Sequence, residues 1–286
     1  MLTPFFHYEF LQNAFISGIL IGLIAPLLGV FIVVRRLSLI ADALSHVSLA
    51  GIAASLYAGK QFAVLAGVSP IYFGMAFSVA GSLIIERLRT VYKHYQELAI
   101  PIIMSGGIGI SVIFISLADG FNTDLFSYLF GSVSAVSRED MLVIVGISAA
   151  VLIVVFSLFK ELFLLSFDEE HAKASGISAK WIHFIFILIV ALVIAASMRI
   201  VGTLLVSALM TLPVAASMRI AKGFKQAIFL SILFGELSVI VGLVLAYHLD
   251  LAPGGTIVML SIFILILCIS YNKIKRRIRR ERTGSA

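Results

Sequence analysis

Apolar runs of about twenty residues constrain this chain more than any other feature of its sequence. A helix needs roughly 20 apolar residues to cross the hydrocarbon core of a bilayer. Runs of this length, or nearly so, lie at about 10–34, 37–59, 61–85, 98–118, 141–159, 181–198, 200–218, 226–247 and 251–272. Strands of a membrane barrel would be shorter and would alternate in polarity. The sequence therefore predicts an all-α integral membrane protein with about nine transmembrane helices, within a range of eight to ten.

The composition excludes several other classes of protein. Of the 286 residues, 61% are hydrophobic and 13% are charged, whereas a soluble domain carries about 25% charged residues. The single cysteine, Cys268, excludes an intrachain disulfide and a cysteine metal site. No G-x-x-x-x-G-K-[ST] motif occurs, so the chain is not itself an ATPase. We expect one permease domain over residues 1–272, followed by a basic tail over residues 273–286.

The basic residues predict the orientation of the chain. Clusters of Lys and Arg follow the first, third, fifth, seventh and ninth apolar runs, and such clusters favour the cytoplasmic side. We therefore predict an N-terminus outside the cell and a cytoplasmic C-terminus. The tail over 273–286 lies next to the bilayer, which explains its charge by contact with anionic lipid rather than with nucleic acid. Residues 119–140 are half apolar and too short to span, so they predict a re-entrant or interfacial helix.

Ionisable residues inside the apolar runs are the strongest functional signal. Asp42 and His46 are four residues apart, which puts both on one face of a helix. A carboxylate oxygen and an imidazole nitrogen suit a divalent transition metal. Counting from the basic clusters, Asp42, His46 and Glu236 lie roughly 9, 15 and 16 Å deep. Glu236 is therefore a candidate third member of this polar pathway, and His248 a candidate at the outer mouth.

A structural reading of these residues stays open. Asp42 could bond to a neighbouring serine for packing alone, and His248 could lie in an ordinary solvated loop. Ionisable residues within membrane spans more often mark ion or proton pathways, which favours the pathway reading for Asp42 and His46. For Glu236 alone the two readings are evenly balanced.

A short polar segment between the fifth and sixth runs predicts a second functional feature. Residues 168–175 can form a helix with Asp168 and Glu169 near its N-terminus and Lys173 near its end, which matches the helix dipole. Gly176 can close that helix. A short polar helix on the cytoplasmic side offers a surface that a partner protein can bind.

Three stretches resemble the permease subunit of bacterial ABC importers for zinc, manganese and iron: "GVFIVVRRLSLIADALSHVSLAGIA", "FDEEHAKASGI" and "VGTLLVSALMTLPVAASMRIAK". The resemblance implies a fold similar to the vitamin B12 and siderophore importer permeases. It implies that Asp42 and His46 lie on the metal path. It also implies that Ala172 and Gly176 belong to a coupling helix, about 168–176, which docks on the ATPase. The expected partners are a second copy of the chain, a cytoplasmic ATPase dimer and an extracellular metal-binding lipoprotein.

The resemblance favours zinc as cargo, because "ADALSHVSLAGIAAS" is more similar to zinc-type permeases. Manganese or ferrous iron is the alternative within this class. A proton-coupled secondary transporter, in which Asp42 and Glu236 relay protons, is the alternative of another class. A non-transporting scaffold is disfavoured by the intramembrane Asp42. We expect a non-enzymatic protein of the bacterial cell membrane, with no permanently bound cofactor.

Overall fold

The computed structural model describes residues 8–65, 67–118, 120 and 123–283. Within these residues the regular elements are all helical. The α-helices are α1 Glu9–Val34, α2 Ser38–Gln61, α3 Pro70–Val91, α4 Ala99–Leu117, α5 Thr123–Phe130, α6 Arg138–Ser157, α7 Phe159–Phe167, α8 Glu169–Ala174, α9 Ala179–Val201, α10 Val206–Ile220, α11 Phe224–Leu249 and α12 Pro253–Thr283. The all-α prediction is confirmed. Residues 1–7 of the predicted permease domain and 284–286 of the tail lie outside the described residues.

Eight helices of the described chain are long and apolar enough to cross a membrane: α1, α2, α3, α4, α6, α9, α11 and α12. The predicted run over 200–218 differs from the other eight. It is divided between the end of α9, an irregular turn and α10, which has only 15 residues. Gly202, at φ +87°, ends α9 in a conformation that L side chains rarely adopt. Hydropathy alone does not detect this break, because the residues on both sides of it are apolar.

Three helices form the centre of the bundle. In the apolar windows of α1, α2 and α9, 72% of residues are buried, against 28–33% in the other five spans. Small residues let the central helices approach their neighbours closely. A side chain at Gly29 would overlap the Met210 carbonyl of α10, and one at Gly51 would overlap the Phe73 carbonyl of α3. The centre is therefore held by backbone-to-backbone packing.

The predicted re-entrant or interfacial helix is α5, which at eight residues is too short to span. It packs on the α9–α10 turn: the backbone N–H and hydroxyl of Thr203 donate to the Tyr128 carbonyl at 2.8 and 2.9 Å. The N–H of Ser132 donates to the Arg199 carbonyl at 3.1 Å. Irregular backbone is tolerated at depth when protein covers it and satisfies its polar groups. Residues 119, 121 and 122 of the predicted segment lie outside the described residues.

A buried ion pair joins the start of α6 to the end of α9. Asp140 is 1% exposed, and its Oδ2 lies 2.7 Å from Arg199 Nη1. The same carboxylate forms a capping box with Ser137, whose N–H and hydroxyl both donate to Oδ2. One acidic side chain thus begins α6 and fixes it against a central helix.

Candidate metal site

Asp42 and His46 lie in the first three turns of α2, the second of the central helices. All of residues 40–55 are described, and within that stretch every residue except Asp42 and His46 is buried. The two half-buried side chains share one helix face, because they are four residues apart. The pair therefore forms the one accessible strip on an otherwise enclosed section of α2.

A hydroxyl group from a distant helix meets the Asp42 carboxylate. Ser207, in the first turn of α10, donates from Oγ to Asp42 Oδ1 at 3.3 Å. No hydrogen bond to Oδ2 occurs within the described residues. A straight-helix count from Arg219 would put Ser207 about 18 Å deep, roughly twice the depth of Asp42. Its contact with α2 is a consequence of the short α10, which begins after a buried turn that contains Thr203 at 0% exposure.

The backbone of α4 fixes the position of His46. Ser111 Oγ donates toward the His46 carbonyl at 3.2 Å and toward the Gly107 carbonyl at 2.7 Å. A Cβ at Gly107 would lie 2.9 Å from the N atom of Val47 and 3.1 Å from the carbonyl carbon of His46. The His46 imidazole makes no hydrogen bond within the described part of the chain. Its backbone is thus held rigidly while both ring nitrogens stay available to a ligand.

The other two candidate metal residues lie apart from this pair. Glu236 of α11 packs against α1, where a Cβ at Gly22 would lie 3.3 Å from its Oε2. That oxygen is buried without a hydrogen-bond partner among the described residues. His248 is exposed in the last turn of α11, with Nδ1 2.9 Å from the Val244 carbonyl. Across the described chain, no three His, Cys, Asp or Glu side chains converge on one point. The roles of Glu236 and His248 stay predictions.

Asp42, His46 and Ser207 together offer a carboxylate, an imidazole and a hydroxyl. These groups can ligate a divalent transition metal, but two strong ligands leave most of the coordination shell to water or another subunit. Such a site suits brief residence rather than tight storage. Sequence reasoning missed Ser207, because Ser and Thr are frequent in membrane helices for packing. The only hint of Ser207 in the sequence is its position shortly after Gly202 in "VGTLLVSALM".

The predicted coupling segment forms α8 with a specific start and end. Asp168 caps the helix by accepting from the N–H of His171 at 2.8 Å. Its C-terminus is a Schellman motif: Ile177 N–H donates to Ala172 O and Gly176 N–H donates to Lys173 O, both at 3.1 Å. Gly176 has φ +80°, so its lack of a side chain is required there. The predicted closing role of Gly176 is confirmed, whereas ATPase docking stays a prediction.

The outer face of α8 is charged and its inner face is apolar. Ala172 is fully buried, while Glu169 and Lys173 are exposed and form an ion pair of 2.8 Å. The hydrogen bond from Lys173 lowers the pKa of Glu169. An exposed helical turn with alternating charge, anchored by one buried alanine, is thus available to a partner.

The chain is similar to known transport proteins over nearly its whole length. The chain is 35% identical over 269 residues to the Treponema pallidum (strain Nichols) "Probable metal transport system membrane protein", covering 94% of this chain and 98% of that one. It is 34% identical over 274 residues to the Streptococcus gordonii "Manganese import system permease protein ScaB", covering 96% of this chain and 95% of that one. The structure of PsaBC from Streptococcus pneumoniae in complex with Fab has a TM-score of 0.81 at 32% identity, covering 96% of this chain and 100% of that one.

The family comparison covers nearly the whole chain, because the ABC 3 transport family matches residues 7–272. That range contains seven of the eight candidate spans and most of the eighth, together with Asp42, His46, Ser207 and α8. The protein is a multi-pass membrane protein, and it belongs to the ABC 3 transport family of permeases of metal ABC importers.

Proposed function

We propose that this chain is the permease subunit of an ATP-driven importer, which passes a divalent transition metal from an external binding protein into the cytoplasm. One observation carries the proposal: within residues 40–55 of α2, only Asp42 and His46 are accessible. An ionisable pair inside a membrane protein is costly, and such residues mostly line ion pathways. The basic clusters support an N-terminus outside and a C-terminus inside the cell.

Manganese is the cargo that we propose first. Asp42 and Ser207 offer two oxygen ligands to one imidazole nitrogen, and oxygen-rich sites suit manganese. The name of the Streptococcus gordonii relative points the same way. Zinc is the second candidate, because carboxylate with imidazole is also a common zinc ligand set and "ADALSHVSLAGIAAS" is more similar to zinc-type permeases.

The proposed assembly contains two permeases, an ATPase dimer and a metal-binding lipoprotein. A second copy would bring another Asp42 and His46 and so add ligands that a single chain lacks. The charged outer face of α8, with its ion pair between Glu169 and Lys173, supports docking of the ATPase at this helix. Transport would then couple ATP hydrolysis in the docked ATPase, through α8, to rearrangement around α2.

The test is uptake of radioactive manganese and zinc, each competing with the other, in vesicles that hold the complete complex. Asp42→Asn and His46→Gln should each lower uptake by about tenfold or more, since even a partner of a metal ligand is worth that much. Glu139→Gln and His94→Gln, at exposed positions away from α2, are the matched controls and should transport normally.

Two outcomes would contradict the proposal. Normal uptake in both α2 variants would remove the pair from the pathway. Uptake that persists without the ATPase and collapses when the proton gradient is dissipated would instead identify a secondary transporter. Cargo is decided separately: whichever ion suppresses uptake of the other at the lower concentration is the preferred substrate.

A further inference from the structure

A charged cavity of about 530 Å³ lies beside α8, at the end of the bundle opposite to α5. We call it the α8 cavity. Side chains from the α1–α2 turn, α3, the α3–α4 connection, α7, α8 and α9 line it. Its basic side chains are those of Arg35, Arg89, Lys93, Lys173 and Lys180. Against these five it has two acidic side chains, Glu86 and Glu169, so its net charge is positive.

Both acidic groups already have partners inside the cavity. Glu86 Oε2 lies 3.0 Å from His183 Nε2 and 3.6 Å from Arg89 Nη1. Glu169 is paired with Lys173 at 2.8 Å. Arg35, Lys93 and Lys180 therefore remain without a carboxylate within ion-pair distance among the described residues. The five basic side chains exceed the two acidic ones, and an added anion would reduce the repulsion among them.

Two buried nitrogen atoms in the wall also lack partners. Arg35 Nη1 and His183 Nδ1 are buried, and neither makes a hydrogen bond within the described residues. His183 is 8% exposed, and burial lowers the pKa of Arg35. The charges of Glu169 and Glu86 act on Arg35, but neither carboxylate forms a hydrogen bond with it, so its lost hydration is only partly replaced. Charge and unmet hydrogen-bonding capacity thus both point to an anion with several acceptor oxygens.

The rim of the cavity has the character of a membrane interface. Trp181, the one tryptophan of the sequence, is 68% exposed in the first turn of α9. Its ring meets that of Phe184, a cavity residue, edge to face at 5.9 Å. Exposed Lys93 and Lys180 flank the same opening. Exposed tryptophan next to lysine is typical of the headgroup level of a bilayer, and basic pockets between helices at that level bind lipid phosphates.

We propose that the α8 cavity binds the phosphate headgroup of an anionic phospholipid such as phosphatidylglycerol. Lys93 and Lys180 attract the headgroup at the opening, and Arg35 donates from Nη1 to a phosphate oxygen inside. The acyl chains lie outside, along Trp181 and Phe184. The proposal requires only that the chain lies in a membrane, so it stands or falls independently of metal transport.

Trp181 provides a direct test, because its fluorescence reports on the lipid at the cavity rim. The full chain is reconstituted in phosphatidylcholine vesicles, into which brominated phosphatidylglycerol or brominated phosphatidylcholine is titrated. Brominated phosphatidylglycerol should quench Trp181 at a lower mole fraction. Lys93→Gln and Lys180→Gln should each reduce this preference about fivefold, the value expected for one basic residue near an anionic headgroup. Both lysines are exposed, so these variants should fold.

Lys222→Gln and Lys225→Gln are the matched controls, since they remove the same charge from exposed positions that do not line the α8 cavity. Their lipid preference should equal that of the unmodified chain. Equal quenching by both brominated lipids, or a preference that all four variants retain, would overturn the proposal. Loss of the preference in millimolar inorganic phosphate would reassign the cavity to a soluble anion. Its loss on adding the ATPase would reassign the cavity to the subunit interface.

Discussion

The Asp42 carboxylate has two oxygens with different surroundings. Oδ1 accepts from Ser207, whereas Oδ2 has no hydrogen bond within the described residues. A hydrogen bond to an ionised group fixes the orientation of that group. Besides offering its own oxygen to a metal, Ser207 therefore holds the Asp42 carboxylate in position.

Ser207→Ala should raise the KM for metal uptake by about tenfold and leave kcat less affected, because a hydrogen bond to a charged group contributes about 1.5–3 kcal/mol. Ser207→Thr keeps the hydroxyl and should restore most of the affinity. Ser45→Ala is the control, since Ser45 bonds the backbone carbonyl of Asp42 and not its carboxylate. Equal KM values for the two alanine variants would rule out a positioning role. Uptake measured over a metal concentration series provides both constants.

A second prediction at this scale concerns the ion pair between Asp140 and Arg199. Asp140→Asn leaves the helix cap largely intact but leaves the partly buried Arg199 without its counter-ion, which should destabilise the protein by about 3–5 kcal/mol. Adding Arg199→Met should recover part of that loss. Glu139→Gln changes the same charge one residue earlier, at an exposed position, and should be nearly neutral. Thermal unfolding in detergent would measure the stability of all three variants. An unchanged unfolding midpoint for Asp140→Asn would show that its ion pair with Arg199 does not stabilise the fold.

At the scale of elements, two adjacent glycines in α4 allow the effect of helix packing on stability to be measured apart from that of helix propensity. A Cβ at Gly107 would lie 2.9 Å from the Val47 backbone, whereas one at Gly106 has no atom within 4 Å. Gly107→Ala should therefore push α4 away from α2, lowering both stability and metal uptake. Gly106→Ala should be neutral or slightly stabilising, since alanine favours a helix by about 1 kcal/mol over glycine. Similar melting temperatures for the two variants would show that α4 does not press on His46.

Elements were predictable where a single local signal decided them. Eight spans were found from hydropathy alone, because a bilayer demands long apolar helices. The capping residue Asp168 and the terminal Gly176 likewise follow from local chemistry. The division of run 200–218 was not predicted. It depends on how Gly202 packs against the Leu129 carbonyl of α5, a contact between distant parts of the sequence.

At the scale of the whole molecule, the candidate site also combines features set by local sequence with contacts between distant residues. Asp42 and His46 are one turn apart, so their shared face could be read from spacing. Ser207 is 165 residues from Asp42, and Glu86 is 97 residues from His183, so neither contact leaves a trace in local sequence. Depth counting put Glu236 level with His46 but could not decide its neighbours, because helices at equal depth need not touch. Tertiary packing alone joins α10 to α2.

The number of crossings decides which side of the membrane each terminus occupies. At 15 residues α10 is about 22 Å long, shorter than the roughly 30 Å core of a bilayer. The buried turn before it supplies the remaining depth, so the chain should cross nine times. In a Cys268→Ser background, Tyr8→Cys should then react with an impermeant maleimide in intact cells. Lys275→Cys and the control Lys222→Cys should react only after permeabilisation. Labelling of Tyr8→Cys and Lys275→Cys from one side would mean eight crossings, with α10 entering and leaving by the same face.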